Sequence, residues 1–185
     1  MEKINYSFGS SRLIFTEASR DDLAQIHILQ STPEVDEYNT LGIPGTIETT
    51  RRVMEPVIED QQKEKRSLFC WIIRLRETKE FTGICGFTLA AERFKMGEIY
   101  YNLMPDYWGK GYGTEIAQSL ILFGFNTLRL HRVSAGVAVE NKRSIRVLEK
   151  VGMVREGLHR KILPIRGVWK DNYEYAILDT DPRNY

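Results

Sequence analysis

The chain has 185 residues, 42% hydrophobic and 28% charged, enough for one domain with a core of its own. Its 26 basic and 25 acidic residues leave a formal net charge of +1, so no overall charge drives it onto nucleic acid or an anionic membrane. The sequence opens without an apolar h-region and never runs to about 18 uninterrupted apolar residues, so we expect no signal peptide, no membrane span and a cytoplasmic location.

In chain order, the first predicted element is a strand over 12–16. A helix follows, in which Leu23, Ile26 and Leu29 recur at helical spacing behind a cap at Ser19 or Asp21. The stretch STPEVDEYNTLGIPGT is rich in breakers and reads as a loop. Ile47, Val53, Met54, Val57 and Ile58 then mark a helix that Pro56 is expected to kink or divide, and loop plus split helix suggest a mobile flap. From Ser67 the runs SLFCWIIRLR, EFTGICGFTLAA and GEIYYNLM predict three antiparallel strands. Next come a glycine loop, the helix TEIAQSLILFGF, the strand RVSAGVAV, the helix KRSIRVLEKV stopped by Gly152, and two strands around PIRG. This order describes a single α/β or α+β domain over 1–185, a mixed sheet flanked by helices. Cys70 and Cys85 stand singly in apolar runs without CxxC spacing, which makes them buried strand thiols rather than a metal site or disulfide.

The loop MPDYWGKGYGTE carries the chemistry. It leaves a strand and enters a helix, so free amides from Gly109 to Thr114 would gather at the positive end of the helix dipole, a geometry suited to phosphate. Glycine serves there because a Cβ would hold a phosphate away and because positive φ is expected; close packing alone would explain the same glycines. The P-loop pattern G-x-x-x-x-G-K-[ST] is absent, and G-x-G-x-x-G fails at Thr114, which leaves a nucleotide phosphotransferase poorly supported. In VAVENKRSIRVLEKVGM a second strand runs straight into an amphipathic helix beginning near Asn141, with Ile145, Leu148 and Val151 on its buried face.

Together, EIYYNLMPDYWGKGYGTEI and VENKRSIRVLEKVGMVREG resemble the acetyl-CoA-binding core of the GCN5-related N-acetyltransferase (GNAT) superfamily, most closely its RimJ/RimL-like ribosomal-protein branch. The resemblance spans roughly Leu13 to Leu178 and implies a mostly antiparallel sheet whose central strands splay to form the acetyl-CoA cleft. It implies acetyl-CoA as cosubstrate, no metal, and a primary amine as acceptor, with a homodimer compatible with it. The family's pyrophosphate loop, (Q/R)-x-x-G-x-(G/A), falls on Trp108 to Gly113, with Trp108 in place of the usual Gln or Arg and Gly111 and Gly113 at the glycine positions. Trp108, Gly109, Lys110, Gly111, Tyr112, Gly113 and Thr114 are thereby implied in cofactor binding. Leu103 and Met104 correspond to the strand end that pairs with pantetheine amides. Asn141 matches a cofactor-contacting asparagine, although a plain helix N-cap would use the same residue.

The chemistry requires a neutral amine that attacks the thioester directly in a ternary complex and a group to meet the departing thiolate. The tyrosine many members use falls at Leu148 here, so Ser144, matching a serine of the RimL-like branch, is the candidate thiol partner; a solvent-facing first-turn serine is the alternative. Glu98 is the candidate base, sharing a strand face with Tyr100 and Asn102, though a hairpin-edge glutamate in solvent reads identically. A further family glutamate is replaced by Leu163. Asp36, Glu37 and Tyr38 could meet a cationic acceptor or simply form a solvated turn; His27 and His159 lack acidic or cysteine companions for catalysis, and His131 reads as a loop residue. The α-amine of a protein or peptide is the expected acceptor, because its reference pKa of roughly 7.7–8.0 asks less of a weak base than lysine does. A small-amine or antibiotic acetyltransferase and a catalytically silent CoA-binding domain are the alternatives.

Overall fold

A computed structural model describes residues 6–185; the first five residues of the expected domain lie outside the described ones. The strands are β1 (Phe8–Gly9), β2 (Leu13–Glu17), β3 (Leu68–Leu75), β4 (Phe81–Leu89), β5 (Met96–Leu103), β6 (Arg132–Ala138), β7 (Val154–Ile165) and β8 (Val168–Leu178). The helices are α1 (Leu23–Gln30), α2 (Pro33–Asp36), α3 (Ile47–Asp60), α4 (Tyr112–Asn126) and α5 (Lys142–Lys150). They build one sheet in the order β1-β2-β3-β4-β5-β6-β8-β7. Every pairing is antiparallel except β5 with β6, which run parallel.

Period-two alternation sends the strands' apolar residues to both faces, and each face carries helices. On one side Phe15, Trp71, Phe87, Ile99, Val133 and Tyr175 pack with Ile116 and Leu120 of α4 and Leu148 of α5. On the other, Cys70, Ile72 and Ile84 pack with Ile26 and Leu29 of α1 and Met54 of α3. Both thiols are free and buried, as their apolar surroundings predict. The short β1, which sequence patterning misses, is pinned by aromatic contact: Phe8 stacks on Phe15 at 4.4 Å and meets Trp71 edge-on at 5.3 Å.

Two expectations need correction. The stretch between α1 and α3 is not all loop, since α2 forms behind Pro33 at its first turn. Pro56 does not divide α3, which runs unbroken from Ile47 to Asp60. Pro56 and Arg52 are both exposed, so the carbonyl that loses its helical donor faces water, which satisfies it.

The end of α3 is tied to the sheet by a buried carboxylate. One oxygen of Asp60 accepts the amides of Ser67 and Leu68 at 2.7 and 2.8 Å, and the Lys63 ammonium stands 2.7 Å from the other. Burial alone would raise the Asp60 pKa, but Lys63 and the two amides outweigh it and hold the group below its ordinary value. A carboxyl with a lowered native pKa stabilises fully above its unfolded value and loses that contribution as pH falls through the native one. Asp60→Ala should therefore destabilise the fold by about 2–4 kcal/mol at neutral pH, because two amides lose their acceptor. Urea unfolding should show this loss shrinking in acid.

Candidate active site

Strands β5 and β6 pair only through Met96 with Arg132, Gly97 with Val133 and Glu98 with Ser134. Past those positions each continues in company with its outer neighbour, β5 along β4 to Leu103 and β6 along β8 to Ala138. The strands part, and a cleft of about 1020 Å³ opens where the pairing stops. Glu98, Leu103, Trp108, Gly109, Gly111, Gly113, Thr114, Asn141 and Ser144 of the expected set line it. Met104, Lys110 and Tyr112 do not. The Met104 amide is spent on the Thr82 carbonyl at 2.8 Å, across on β4, and its side chain joins the α1/α3 core.

On the α4/α5 side, the glycine loop has the backbone its sequence suggests. Gly109 and Gly111 have φ of +71° and +83°, and nothing lies within 4 Å of a Cβ built on Gly109. Gly113 is different: it sits in the first turn of α4, where its missing side chain admits Val147 of α5, 3.4 Å from the position a Cβ would take. Tyr112, Gly113 and Thr114 begin the helix, where amides have no acceptor within it. Trp108, at the position usually polar, turns inward: its indole N–H donates to the Leu103 carbonyl at 2.8 Å, and the Arg143 guanidinium lies 4.7 Å from its ring centroid. Arg143, Arg146 and Lys150, spaced along α5, line the cleft. Asn141 is the α5 N-cap, its side-chain oxygen accepting the Ser144 amide at 3.1 Å.

The register places a different chemistry on the opposite face. Glu98 shares its side of the sheet with Ser134 and Gly136 of β6, and Gly136 pairs with Glu174 of β8, one alternation from Asn172. A Cβ on Gly136 would stand 3.2 Å from the Asn172 amide and 3.4 Å from Glu98 Oε1, so glycine there leaves room for both side chains over the gap. Glu174 has its pKa raised, first by burial and then by the negative charge of Glu98, with His159 partly opposing. Glu174, Asn172, Arg143 and Arg146 escape sequence reasoning. The alternation of DNYEYAIL puts Asn172 and Glu174 on one face, yet only the pairing order shows that this face meets Glu98.

The segment from Glu34 to Thr40 also borders the cleft, contributing Glu34, Glu37 and Tyr38 to the lining, with Tyr38 within electrostatic reach of Glu140 and Arg143 at the start of α5. Tyr38 has its pKa raised, by burial and then by Glu37. Asp36, read as a candidate for an incoming cation, is instead committed within the chain. It is buried, and the Nε of Arg166, in the β7–β8 turn, lies 3.2 Å from its carboxylate while Nη2 donates to the Pro33 carbonyl at 2.8 Å. Among the histidines, His27 meets Thr50 at 2.8 Å and His131 meets Asp179 at 2.8 Å; His159 lines the cleft.

A nucleotide-bearing thioester fits this cleft: open φ-positive glycines, helix-start amides and three cations at one mouth, and an unpaired strand gap leading to carboxylates at the other. The comparisons with known proteins agree. Residues 12–154 match the family Acetyltransferase (GNAT) domain. A Bacillus subtilis protein named uncharacterized N-acetyltransferase YoaA is 31% identical over 169 residues, 91% of this chain and 94% of its own length. The chain therefore belongs to the GNAT acetyltransferase family and is an acetyl-CoA-dependent N-acetyltransferase. More distantly, it is 28% identical over 106 residues, 57% of this chain and 55% of the relative, to the ribosomal protein uS5-alanine N-acetyltransferase of Escherichia coli. In fold it matches a Vibrio cholerae spermidine N-acetyltransferase crystallised with CoA and spermine, with a TM-score of 0.82 at 22% identity over 92% of this chain and 98% of that one.

Two substitutions should separate the mouths. Gly111→Val should raise the acetyl-CoA KM roughly tenfold or more, since a branched residue at that φ costs ~1–3 kcal/mol or forces the loop to move. Arg166→Ala should strip the buried Asp36 of its partner, loosen the bordering segment and raise the acceptor KM several-fold while leaving that for acetyl-CoA unchanged. Initial-rate kinetics with each substrate varied in turn would check both.

Proposed function

We propose that the chain transfers an acetyl group from acetyl-CoA to the α-amine of a protein or peptide, by direct attack in a ternary complex, in the cytoplasm. The observation that carries this reading is the charge polarity of one cleft: cations and helix amides on one face of the sheet, Glu98 and Glu174 on the other. In this reading the pyrophosphate lies against the glycine loop and Arg143, the thioester reaches the gap between β5 and β6, and the acceptor enters under the Glu34 to Thr40 segment. Holding the two reactants in line supplies most of the rate.

The acceptor arrives as an ammonium and must lose a proton before it can attack. Glu98, beside the gap, takes it, and Glu174, whose pKa stands above the ordinary carboxylate range, shares it. The distant similarity to an enzyme named for ribosomal-protein alanine acetylation supports an α-amine. A polyamine is the second reading, favoured by the four carboxylates Glu34, Glu37, Glu98 and Glu174 in the lining. Competition among N-terminal peptides, lysine peptides, polyamines and aminoglycosides, followed by thiol release, decides between them. Preference for spermidine-like cations over every peptide α-amine would replace the first reading with the second.

Glu98→Gln should lower kcat/KM at neutral pH by about 10²-fold and recover partly as rising pH deprotonates the amine unaided. Removing the Glu98 charge also removes one of the causes that raise Glu174, so the residual acid limb of the pH–rate profile should move to lower pH. A loss independent of pH would assign Glu98 to acceptor binding instead.

A further inference from the structure

Among the polar groups lining the cleft that the reading above leaves unused, Tyr101 stands out. Tyr101 stands on β5 next to the unpaired stretch, on the face opposite Glu98, with its ring beneath the glycine loop: a Cβ on Gly113 would lie 4.0 Å from its Cε2. The ring packs against the α4/α5 core, and its hydroxyl is buried without a hydrogen-bond partner. An unmet hydroxyl in such a place costs about 1–3 kcal/mol, so a fold that retains one holds it for some other return. The polar side chain that acts on this phenol is Ser144, which faces it from the first turn of α5 and lines the same cleft. The two stand as neighbours without hydrogen-bond alignment.

We propose that Tyr101 is a positioning residue for the acetyl transfer: its hydroxyl donates to Ser144 Oγ and thereby directs the Ser144 proton at the sulfur leaving the thioester. The inference rests on the acetyl-transfer reading and concerns its leaving-group half. Tyr101 has one proton to give to a hydrogen bond, and Ser144 has one donor and free lone pairs. Once the serine oxygen accepts from the phenol, its own O–H is left to point into the gap. The Asn141 cap fixes the Ser144 backbone and the β5 pairing fixes that of Tyr101, so alignment needs only side-chain and hydroxyl rotations.

The balance of the step is as follows. The amine nitrogen bonds to the acetyl carbon, and the carbon–sulfur bond breaks with its electron pair going to sulfur. Of the two protons the nitrogen gives up, one passes to the Glu98 and Glu174 pair and the second, released as the tetrahedral adduct collapses, ends on the thiolate. Ser144 and Tyr101 keep their protons and stabilise the thiolate by hydrogen bonding alone. Burial pushes the Tyr101 pKa up to about 12, with Ser144 pulling weakly the other way, so the phenol remains a donor at every working pH. The arrangement offers the thiolate a hydrogen bond where Leu148 offers no acid.

The test uses the full chain and two variants, Tyr101→Phe and Ser144→Ala. Tyr101→Phe should lower kcat about tenfold, because Ser144 then loses the hydrogen bond that aims its proton at the developing charge, with both KM values little changed. Combined with Ser144→Ala it should lower kcat no further than Ser144→Ala alone, because the two act as one unit. A second readout needs no turnover: the thiol of bound CoA, titrated by thiolate absorbance, should ionise at lower pH on the wild-type chain than on either variant, and equally on both. Tyr101→Phe removes an unpartnered hydroxyl and keeps the ring, so it should melt at or above the wild-type temperature, which separates this role from packing. Wild-type kcat in Tyr101→Phe, losses that add in the double variant, or an unmoved CoA thiol each overturns the proposal while leaving the acetyl transfer intact. Absence of acetyl transfer by the wild-type chain to any amine overturns both.

Discussion

Everything at this site depends on two strands losing each other. β5 and β6 are both long enough to pair along their lengths, yet each is held more extensively by its outer neighbour, and their three shared positions form the one parallel contact in an otherwise antiparallel sheet. Parallel pairing is slightly weaker per residue, and the crossover through α4 brings β6 in from the far end of β5. The strands diverge, and past these three positions the two edges no longer pair with each other along the gap. Backbone groups on such edges want a ligand or water. At the tip the chain meets part of the need itself, through the Trp108 indole on the Leu103 carbonyl.

A gap in the middle of a sheet is a passage between its faces, and the residue alternation sorts the chemistry to either side of it. Glu98, Glu174 and Asn172 belong to one face; Tyr101 belongs to the other, with α5 and Ser144. Proton acceptance from an amine and stabilisation of a thiolate call for opposite electrostatics, one negative and one hydrogen-bond donating. In the proposed reading, placing them on opposite faces keeps each from neutralising the other. Along α5, Arg143 and Arg146 add positive charge on the donor side, where the helix-start amides of α4 already favour an anion.

What could be read from the sequence was whatever is local. The glycine loop, the capped helix at Asn141 and the alternation of β5 are set by neighbours within a few residues, and all three stand in the structure as read. What depended on pairing could not be read. Glu174 becomes a partner of Glu98 only because β8, sixth from the start of the apolar strands in sequence, returns to lie beside β6. Asp36 meets Arg166 across 130 positions of chain, so its charge, read as facing solvent or substrate, is already used. Pro56 misled for a simpler reason: a proline in an exposed turn breaks a hydrogen bond that water can replace, and the apolar stripe through Met54 holds the helix together.

The buried thiols bear on the order of bond making. Transfer could in principle pass through an acyl-cysteine, but that path needs an accessible thiolate. Cys70 is fully enclosed and its thiol pushed up to about 12 by burial, with Tyr100 partly opposing. Cys85 lies on the α4/α5 face of β4, and burial raises its thiol well above the ordinary value. Neither lines the cleft, and a thiolate formed in either place would lose its solvation without gaining a cation. That leaves the acyl-cysteine path without a thiolate, and in the proposed reading the amine attacks the thioester itself, delivered from the carboxylate side of the gap. The direct attack proposed above is consistent with the layering that buries the cysteines, because the sheet interior that excludes water from the core also keeps both thiols away from the cleft.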